Sequence, residues 1–302
     1  MKQIPAFIEF LSNQEKVVSL ISDLTNQPKN SVLLRLQEEY LNPGINVVRD
    51  FKKTGLESFK WCRELNDFYN KSDAFLYELV FWNSNKIKNR MRRWILRHLA
   101  KYKHGKLNIL CVGDGLGIDS AFFAHEGHNV EYFEVKGYSE SFARKLFTEC
   151  KYNINIINEQ DEIKIGFYDA IICLDVLEHI PNPPEFVERM ASYLQPSGHL
   201  IVHSPFYMIH PNYPTHLKAN RRYSGSLSLF TKNNLRLVDG EIRWNPIVLQ
   251  KQNEKNKKYK YFNFKTICLL IAGVYLSIGR FSSIPFWWVD SFSRKRNKWF
   301  GE

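Results

Sequence analysis

The chain of 302 residues is long enough for one large domain with additions, or for two modest domains. Its apolar fraction of 44% excludes a disordered or collagen-like chain, and five scattered cysteines without a CxxC pair argue against a disulfide scaffold or a structural zinc site. The net charge of +11 is uneven: residues 241–302 hold 12 Lys/Arg against 4 Asp/Glu, so the basic character belongs to the tail and speaks to partners with negative surfaces.

In chain order, residues 1–104 read as a helical region. Ile4 to Leu24 places Phe7, Ile8, Leu11, Val17, Val18, Leu20 and Ile21 at helical spacing. Ser31 to Leu41 is a second segment, ended by the turn Asn42-Pro43-Gly44. Thr54 to Glu57 matches a capping box ahead of Phe59 to Tyr69, and Ser72 is placed to cap Asp73 to Trp82. Asn85 to Lys103 predicts a basic amphipathic helix carrying Met91, Trp94, Ile95, Leu99 and Tyr102.

The pattern changes at Gly105. Strands are predicted at Asn108–Val112, Asn129–Val135, Asn153–Ile157, Tyr168–Leu174 and His199–His203. Helices are predicted at Gly117–Glu126, Ser139–Cys150 and Pro183–Leu194. Strands alternating with helices predict an α/β fold, a Rossmann-like doubly wound, mostly parallel sheet, over residues 105–250. Leu235–Val238 and Ile242–Leu249 are expected to close it as an antiparallel pair. Residues 251–302 form an apolar and basic C-terminal extension that begins with a charged linker at 251–262.

The first strand runs into Gly113-Asp114-Gly115-Leu116-Gly117, a GxGxG loop with Ile118 where the dinucleotide fingerprint would have its third glycine. That departure favours a ligand without a pyrophosphate. Glu134 ends the second strand about 20 residues on, where a carboxylate accepts hydrogen bonds from ribose hydroxyls.

Together these motifs resemble the class I S-adenosylmethionine-dependent methyltransferases. Ile109–Gly117 is similar to that family's glycine motif, and Glu134 matches its ribose-binding acid. Tyr168-Asp-Ala-Ile-Ile-Cys-Leu-Asp-Val-Leu-Glu-His-Ile-Pro181 resembles its fourth-strand motif, and Leu194 to Val202 its turn into the fifth strand. The resemblance covers about residues 105–205 and implies S-adenosylmethionine as cofactor, with Gly113, Asp114, Gly115, Gly117, Glu134, Asp161 and Asp175 around it. Cys111 stands where the family often has an acid that holds the methionine amino group, and Asp114 is the candidate substitute for that acid. Glu159 and Gln160 compete with Asp161 for the adenine.

Methyl transfer from a sulfonium needs an aligned nucleophile, and a hydroxyl nucleophile needs a base as well. His179 follows the fourth strand. His203, His210 and His216 follow the fifth, in a loop stiffened by Pro205, Pro211 and Pro214. These four histidines are the catalytic candidates, and each has a structural reading as a turn or packing residue. No metal site is expected, because the histidine spacing matches no zinc pattern. Arg221 and Arg222 have two readings, a hold on a phosphate or carboxylate of the acceptor and a solvated surface pair.

Thr266 to Gly279 has fourteen uncharged residues, short of the roughly 20 that span a bilayer. With Arg280, Pro285, Trp287, Trp288 and the basic run Arg294 to Lys298, residues 264–302 read as an anchor at an anionic membrane surface. Packing against the N-terminal helices is the alternative. Nucleic acid is not an expected partner. Cys111 and Cys173 lie in apolar runs, and Met1 to Phe10 lacks the pattern of a secretory signal, so a cytoplasmic location is expected, at most peripheral to the inner face of the membrane. The expected function is methyl transfer to a hydroxyl or amine of a small-molecule, sugar or lipid-linked acceptor, with the helical region 1–104 expected to cover the cofactor and shape the acceptor pocket. An RNA-modifying methyltransferase and a non-catalytic cofactor-binding scaffold of the same fold are the competing readings.

Overall fold

Seven helices precede the first strand in the computed structural model, which describes residues 4–253 and 264–279. The segment predicted as one helix from Ile4 to Leu24 is two, α1 (Ala6–Ser12) and α2 (Gln14–Thr25). Asn13 between them takes an extended conformation, and its side chain accepts a hydrogen bond from the Lys16 N–H at 3.1 Å, capping α2. After α3 (Lys29–Leu41) comes α4 (Ile45–Thr54), which no local capping motif announces. The buried carboxylate of Glu39 caps it from α3, accepting from the N–H of Gly44 and from the N–H and side-chain amide of Asn46.

The predicted capping box does not form. Thr54 is the last residue of α4, and Gly55 stops the helix with φ +71°. The next helix, α5 (Glu64–Lys71), starts ten residues after Thr54. It is followed by α6 (Ala74–Ser84), whose first N–H is accepted by Ser72 Oγ at 3.2 Å, and by α7 (Lys86–Tyr102), capped by Asn85.

The α/β part then follows the predicted order. It runs β1 (Asn108–Val112), α8 (Ile118–His125), β2 (Asn129–Phe133), α9 (Tyr138–Glu149), β3 (Asn155–Ile157), β4 (Tyr168–Leu174), α10 (Pro183–Tyr193) and β5 (Leu194–His203). It continues with α11 (Ser228–Thr231), β6 (Leu235–Gly240) and β7 (Ile247–Lys251). The strand order is β3-β2-β1-β4-β5-β7-β6; β7 is antiparallel to both neighbours, and the pairings among β1 to β5 are parallel. This is the Rossmann-like sheet expected. β7 begins five residues later than predicted because 241–246 forms the turn that reverses the chain.

Alternation along the strands builds two cores. Ile109, Cys111, Ile172 and Ile201 face one side, where Phe7, Ile21, Tyr77 and Ile95 of the N-terminal helices cover them. Leu110, Ile171, Leu200 and Leu249 face the other, against Val187, Leu229 and Leu269. The helical region and the sheet therefore share one continuous core.

The last described helix, α12 (Phe264–Gly279), packs chiefly on β6 and its flanking turns, and meets the N-terminal helices where Lys265 lies over the Trp94 ring of α7. Trp244 Nε1 donates to the Leu269 carbonyl at 2.8 Å, and Ser277 Oγ donates to the Ser224 carbonyl at 2.9 Å. A Cβ at Gly273 would stand 2.5 Å from the Trp244 ring, so glycine is what permits this approach. Most of the linker and the basic Arg280–Lys298 stretch lie outside the described residues. No helix among those described is long and apolar enough to cross a membrane. All five cysteines are free thiols.

Candidate active site

The sheet order reverses between β1 and β4, and ligands of open α/β sheets bind at the carboxyl ends of the strands beside such a point. A cleft of about 2020 Å³ opens there, well above the 300–1,000 Å³ usual for one small ligand. The volume suits two ligands side by side. Gly113, Gly115 and Glu134 line one part; Asp175, His179, His203, His210 and His216 line the rest.

The glycine loop and Glu134 form one unit. Glu134 accepts from the Gly115 N–H at 2.6 Å and from the Val135 N–H at 2.8 Å, which fixes its carboxylate while leaving lone pairs toward the cleft. Burial raises its pKa. Gly113 has φ +67°, and a Cβ there would sit 2.5 Å from Val176. A half-buried carboxylate fixed beside a close backbone turn fits a nucleoside ribose.

Three residues expected around the cofactor are placed elsewhere. Asp114 turns inward, and its carboxylate accepts from the N–H groups of Asp119 at 3.0 Å and Ser120 at 2.7 Å, capping α8. A buried helix start needs those acceptors more than the cleft does. Gly117 is the N-cap of α8 with φ +74°, packed under Phe147 and Ala143 of α9, and it does not line the cleft. Asp161 sits exposed on a short 3₁₀ turn after β3, also off the cleft.

Asp175, just past β4 with φ +63°, is the electrostatic centre. Its Oδ2 accepts from Trp82 Nε1 at 2.9 Å and from Lys88 Nζ at 3.0 Å, and its Oδ1 meets His203 Nδ1 at 2.5 Å. Lys88 also contacts Asp119 at 3.3 Å, and Arg92 pairs with Asp119 at 2.5 Å. Burial would raise the Asp175 pKa, but Lys88 and His203 outweigh it and hold the carboxyl well below the usual range. Burial would likewise lower Lys88, but Asp119 and Asp175 outweigh it and hold it raised. Asp175 is therefore a permanent anion. A carboxylate only accepts, so His203 donates to it from Nδ1, and Nε2 is the ring nitrogen on the other side of the imidazole.

A second group lies beside it. Ligand atoms of Glu178, His179 and His216 lie within 4.8 Å of one another. Each imidazole is fixed through Nδ1: His216 against the Met208 carbonyl at 2.7 Å, His179 against the Thr215 carbonyl at 3.2 Å and the Tyr69 hydroxyl at 3.0 Å. Glu178 Oε2 is buried without a hydrogen-bond partner, and burial together with the Asp175 charge pushes its pKa well up. One carboxylate and two imidazoles are a donor set suited to a divalent cation. His210, by contrast, accepts the Asn212 N–H on Nδ1 at 3.2 Å, within its own turn.

Burial lowers the pKa of His179 to about 4 and of His216 to about 3. Burial, helped by His98, also holds His199 at about 3, in a chain of contacts that runs from Gln250 through His199 and His98 to Asp239. The unfolded chain takes up these protons below its ordinary pH of about 6.5, while the folded chain refuses them until about 3 to 4. Stability is thus fully present above 6.5 and falls as pH drops, by up to about 1.4 kcal/mol per pH unit for each imidazole. Urea titrations at pH 7.5 and 5.5 should show a lower midpoint at 5.5, and His199→Gln should flatten the difference. An unchanged midpoint would mean these imidazoles are not buried neutral.

The family described as "Methyltransferase domain" matches residues 61–244. The chain belongs to that family. Among its relatives, the ubiquinone biosynthesis O-methyltransferase of Pectobacterium carotovorum is 30% identical over 116 residues, covering 37% of this chain and 48% of the relative. That of Rickettsia prowazekii is 34% identical over 149 residues, covering 44% and 58%. The matched part of this methyltransferase-family chain spans about half the length of those relatives. A solved structure of the Burkholderia thailandensis 1,6-didemethyltoxoflavin-N1-methyltransferase aligns with a TM-score of 0.43 at 16% identity, over 57% of this chain and 81% of that one.

Sequence reasoning expected the helical region to cover the site but named none of Tyr69, Trp82 and Lys88, which α5 to α7 supply. A signal was present: Lys88 and Arg92 continue the stripe of Ile95 and Leu99, and both are buried. A cation in an apolar stripe implies a buried carboxylate opposite it.

Proposed function

We propose that this chain transfers a methyl group from S-adenosylmethionine to a hydroxyl of a small acceptor, with His203 as the base and Asp175 holding it. The observation that carries this reading is the Asp175–His203 pair at the ends of β4 and β5, in the same cleft as Glu134. The cofactor supplies an electrophilic methyl group on a good leaving group. Gly113, Gly115 and Glu134 would bind its nucleoside. His203 Nε2 would take the proton of the acceptor hydroxyl, freeing its oxygen to receive the methyl group that the bound cofactor would supply, with the cofactor's thioether as the leaving group. Asp175 stabilises the imidazolium, while Lys88 keeps Asp175 ionised. An amine acceptor would have less need of this base, so the pair favours oxygen. Tyr69, Phe75 and Trp82 of the helical region line the acceptor side, which gives residues 1–104 the task of shaping it. The O-methyltransferase names of the relatives support the same reaction class.

Titration of S-adenosylhomocysteine tests the cofactor assignment. Glu134→Ala should raise Kd at least tenfold, about 1.4 kcal/mol, while Asp161→Ala leaves it within twofold. Failure of the wild-type chain to bind would sink the reading.

The Glu178–His179–His216 group favours a second reading, in which a bound divalent cation orients the acceptor oxygen and lowers its pKa. If it holds, Mn²⁺ or Zn²⁺ binds the metal-free chain in calorimetry, and His216→Ala abolishes the heat. Absence of binding leaves His203 alone as the activating group.

A further inference from the structure

The two faces of α12 differ. Thr266, Leu269 and Gly273 are buried against the domain. Phe264, Ile267, Ile271, Val274 and Ile278 recur at helical spacing on the outer side; Ile271, Val274 and Ile278 are 64%, 60% and 63% exposed. A continuous apolar stripe of this kind marks an interaction surface.

Its surroundings say which kind. Ile271 and Tyr275 line the cleft as well as lying exposed, so the stripe runs into the cleft mouth. Exposed Ile242, in the turn that also bears Trp244, extends it. Arg243 from that turn, and Arg221 and Lys218 from the segment leading to Ser224, line the cleft beside α12. The segment 241–302 as a whole carries 12 basic residues against 4 acidic ones. Apolar residues on one helix face, with Lys218, Arg221 and Arg243 at the cleft beside them, match the chemistry of an anionic bilayer: the helix would lie in the headgroup layer and the cations would meet lipid phosphates. The sixteen described residues of α12 are fewer than the roughly 20 that cross a bilayer, and as described they offer an apolar face along the helix.

We propose that α12 and the 241–246 turn form a docking rim that seats the mouth of the cleft on an anionic lipid surface. This deepens the methyl-transfer reading by turning the open side of the cleft toward the bilayer, but its test is independent of turnover. The full chain is sedimented with vesicles of phosphatidylcholine and with vesicles containing phosphatidylglycerol. The variant Ile267→Glu/Val274→Glu/Ile278→Glu alters the stripe without touching a cleft-lining residue. The expected result is pelleting with the anionic vesicles only, weakened by 1 M salt and reduced at least tenfold in the variant. Both proteins should bind S-adenosylhomocysteine equally, which also shows that the variant is folded. Equal pelleting of variant and wild type, or no pelleting of the wild type, would overturn the proposal. So would a dimer in analytical ultracentrifugation that the variant dissociates, since a second copy would then cover the stripe. Loss of S-adenosylhomocysteine binding with vesicle binding intact would instead overturn the cofactor assignment and leave the rim standing.

Discussion

His203→Ala should lower kcat by roughly 10²- to 10⁴-fold, the range of a positioned general base, while S-adenosylhomocysteine binds within twofold of wild type. The separation follows from geometry. His203 stands at the end of β5, and the only polar contact of its ring among the described residues is Asp175; the glycine loop and Glu134 are held by their own hydrogen bonds. His203→Gln keeps a side-chain amide donor near Asp175 Oδ1 but supplies no basic nitrogen, so it should be as inactive as alanine while holding the fold better. A loss of less than threefold in both variants would remove the base assignment. Catalysis would then have to rest on the Glu178–His179–His216 group. His210→Ala, in contrast, should change kcat by less than threefold, because its Nδ1 accepts the Asn212 N–H within its own turn, whereas Nδ1 of His203 is held by the Asp175 carboxylate.

Lys88→Met should cost about 3–5 kcal/mol of folding stability, the range for removing one partner from a buried ion pair. Lys88 is 3% exposed and is shared by Asp119 and Asp175, one at the start of α8 and the other at the end of β4. Arg92 still pairs with Asp119 in the variant, whereas Asp175 keeps only Trp82 and His203. The loss should therefore be larger at high pH, where Asp175 must stay charged without its cation, and smaller in acid. It should be partly recovered in Lys88→Met/Asp175→Asn. Urea unfolding of the three proteins measures this directly; a cost below about 1 kcal/mol would show that the pair is solvated and that Lys88 does not hold Asp175 ionised.

The partners of Lys88 are not legible along the chain. Its place in the stripe with Arg92, Ile95 and Leu99 separates it from exposed Arg90 and Lys101, but which carboxylates it meets depends on how α7 packs against α8 and the end of β4. Asp114 shows the same limit from the other side. Its place in a glycine loop suits a ligand contact, yet the start of α8 presents N–H groups that have no other acceptor, and the carboxylate turns to them. For α4, the cap comes from Glu39 on a different helix, so no run of adjacent residues marks the start. Thr54 to Glu57 carries the letters of a capping box, but Gly55 takes up the left-handed conformation that ends a helix, and the letters alone do not choose between the two.

What the amino-acid order determined by itself is the alternation of short apolar runs with amphipathic helices, and hence the parallel sheet, the glycine turn after β1 and the acid at the end of β2. These are local: each depends on periodicity, a turn residue or a spacing along one stretch of chain. The tertiary structure decided which polar side chains face the cleft. His179 and His216 are far apart in sequence and adjacent in space, and Asp175 receives partners from α6, α7 and β5. Such groupings depend on burial and on competition between a ligand and an unsatisfied backbone group for the same side chain, and that competition is resolved only when the elements pack.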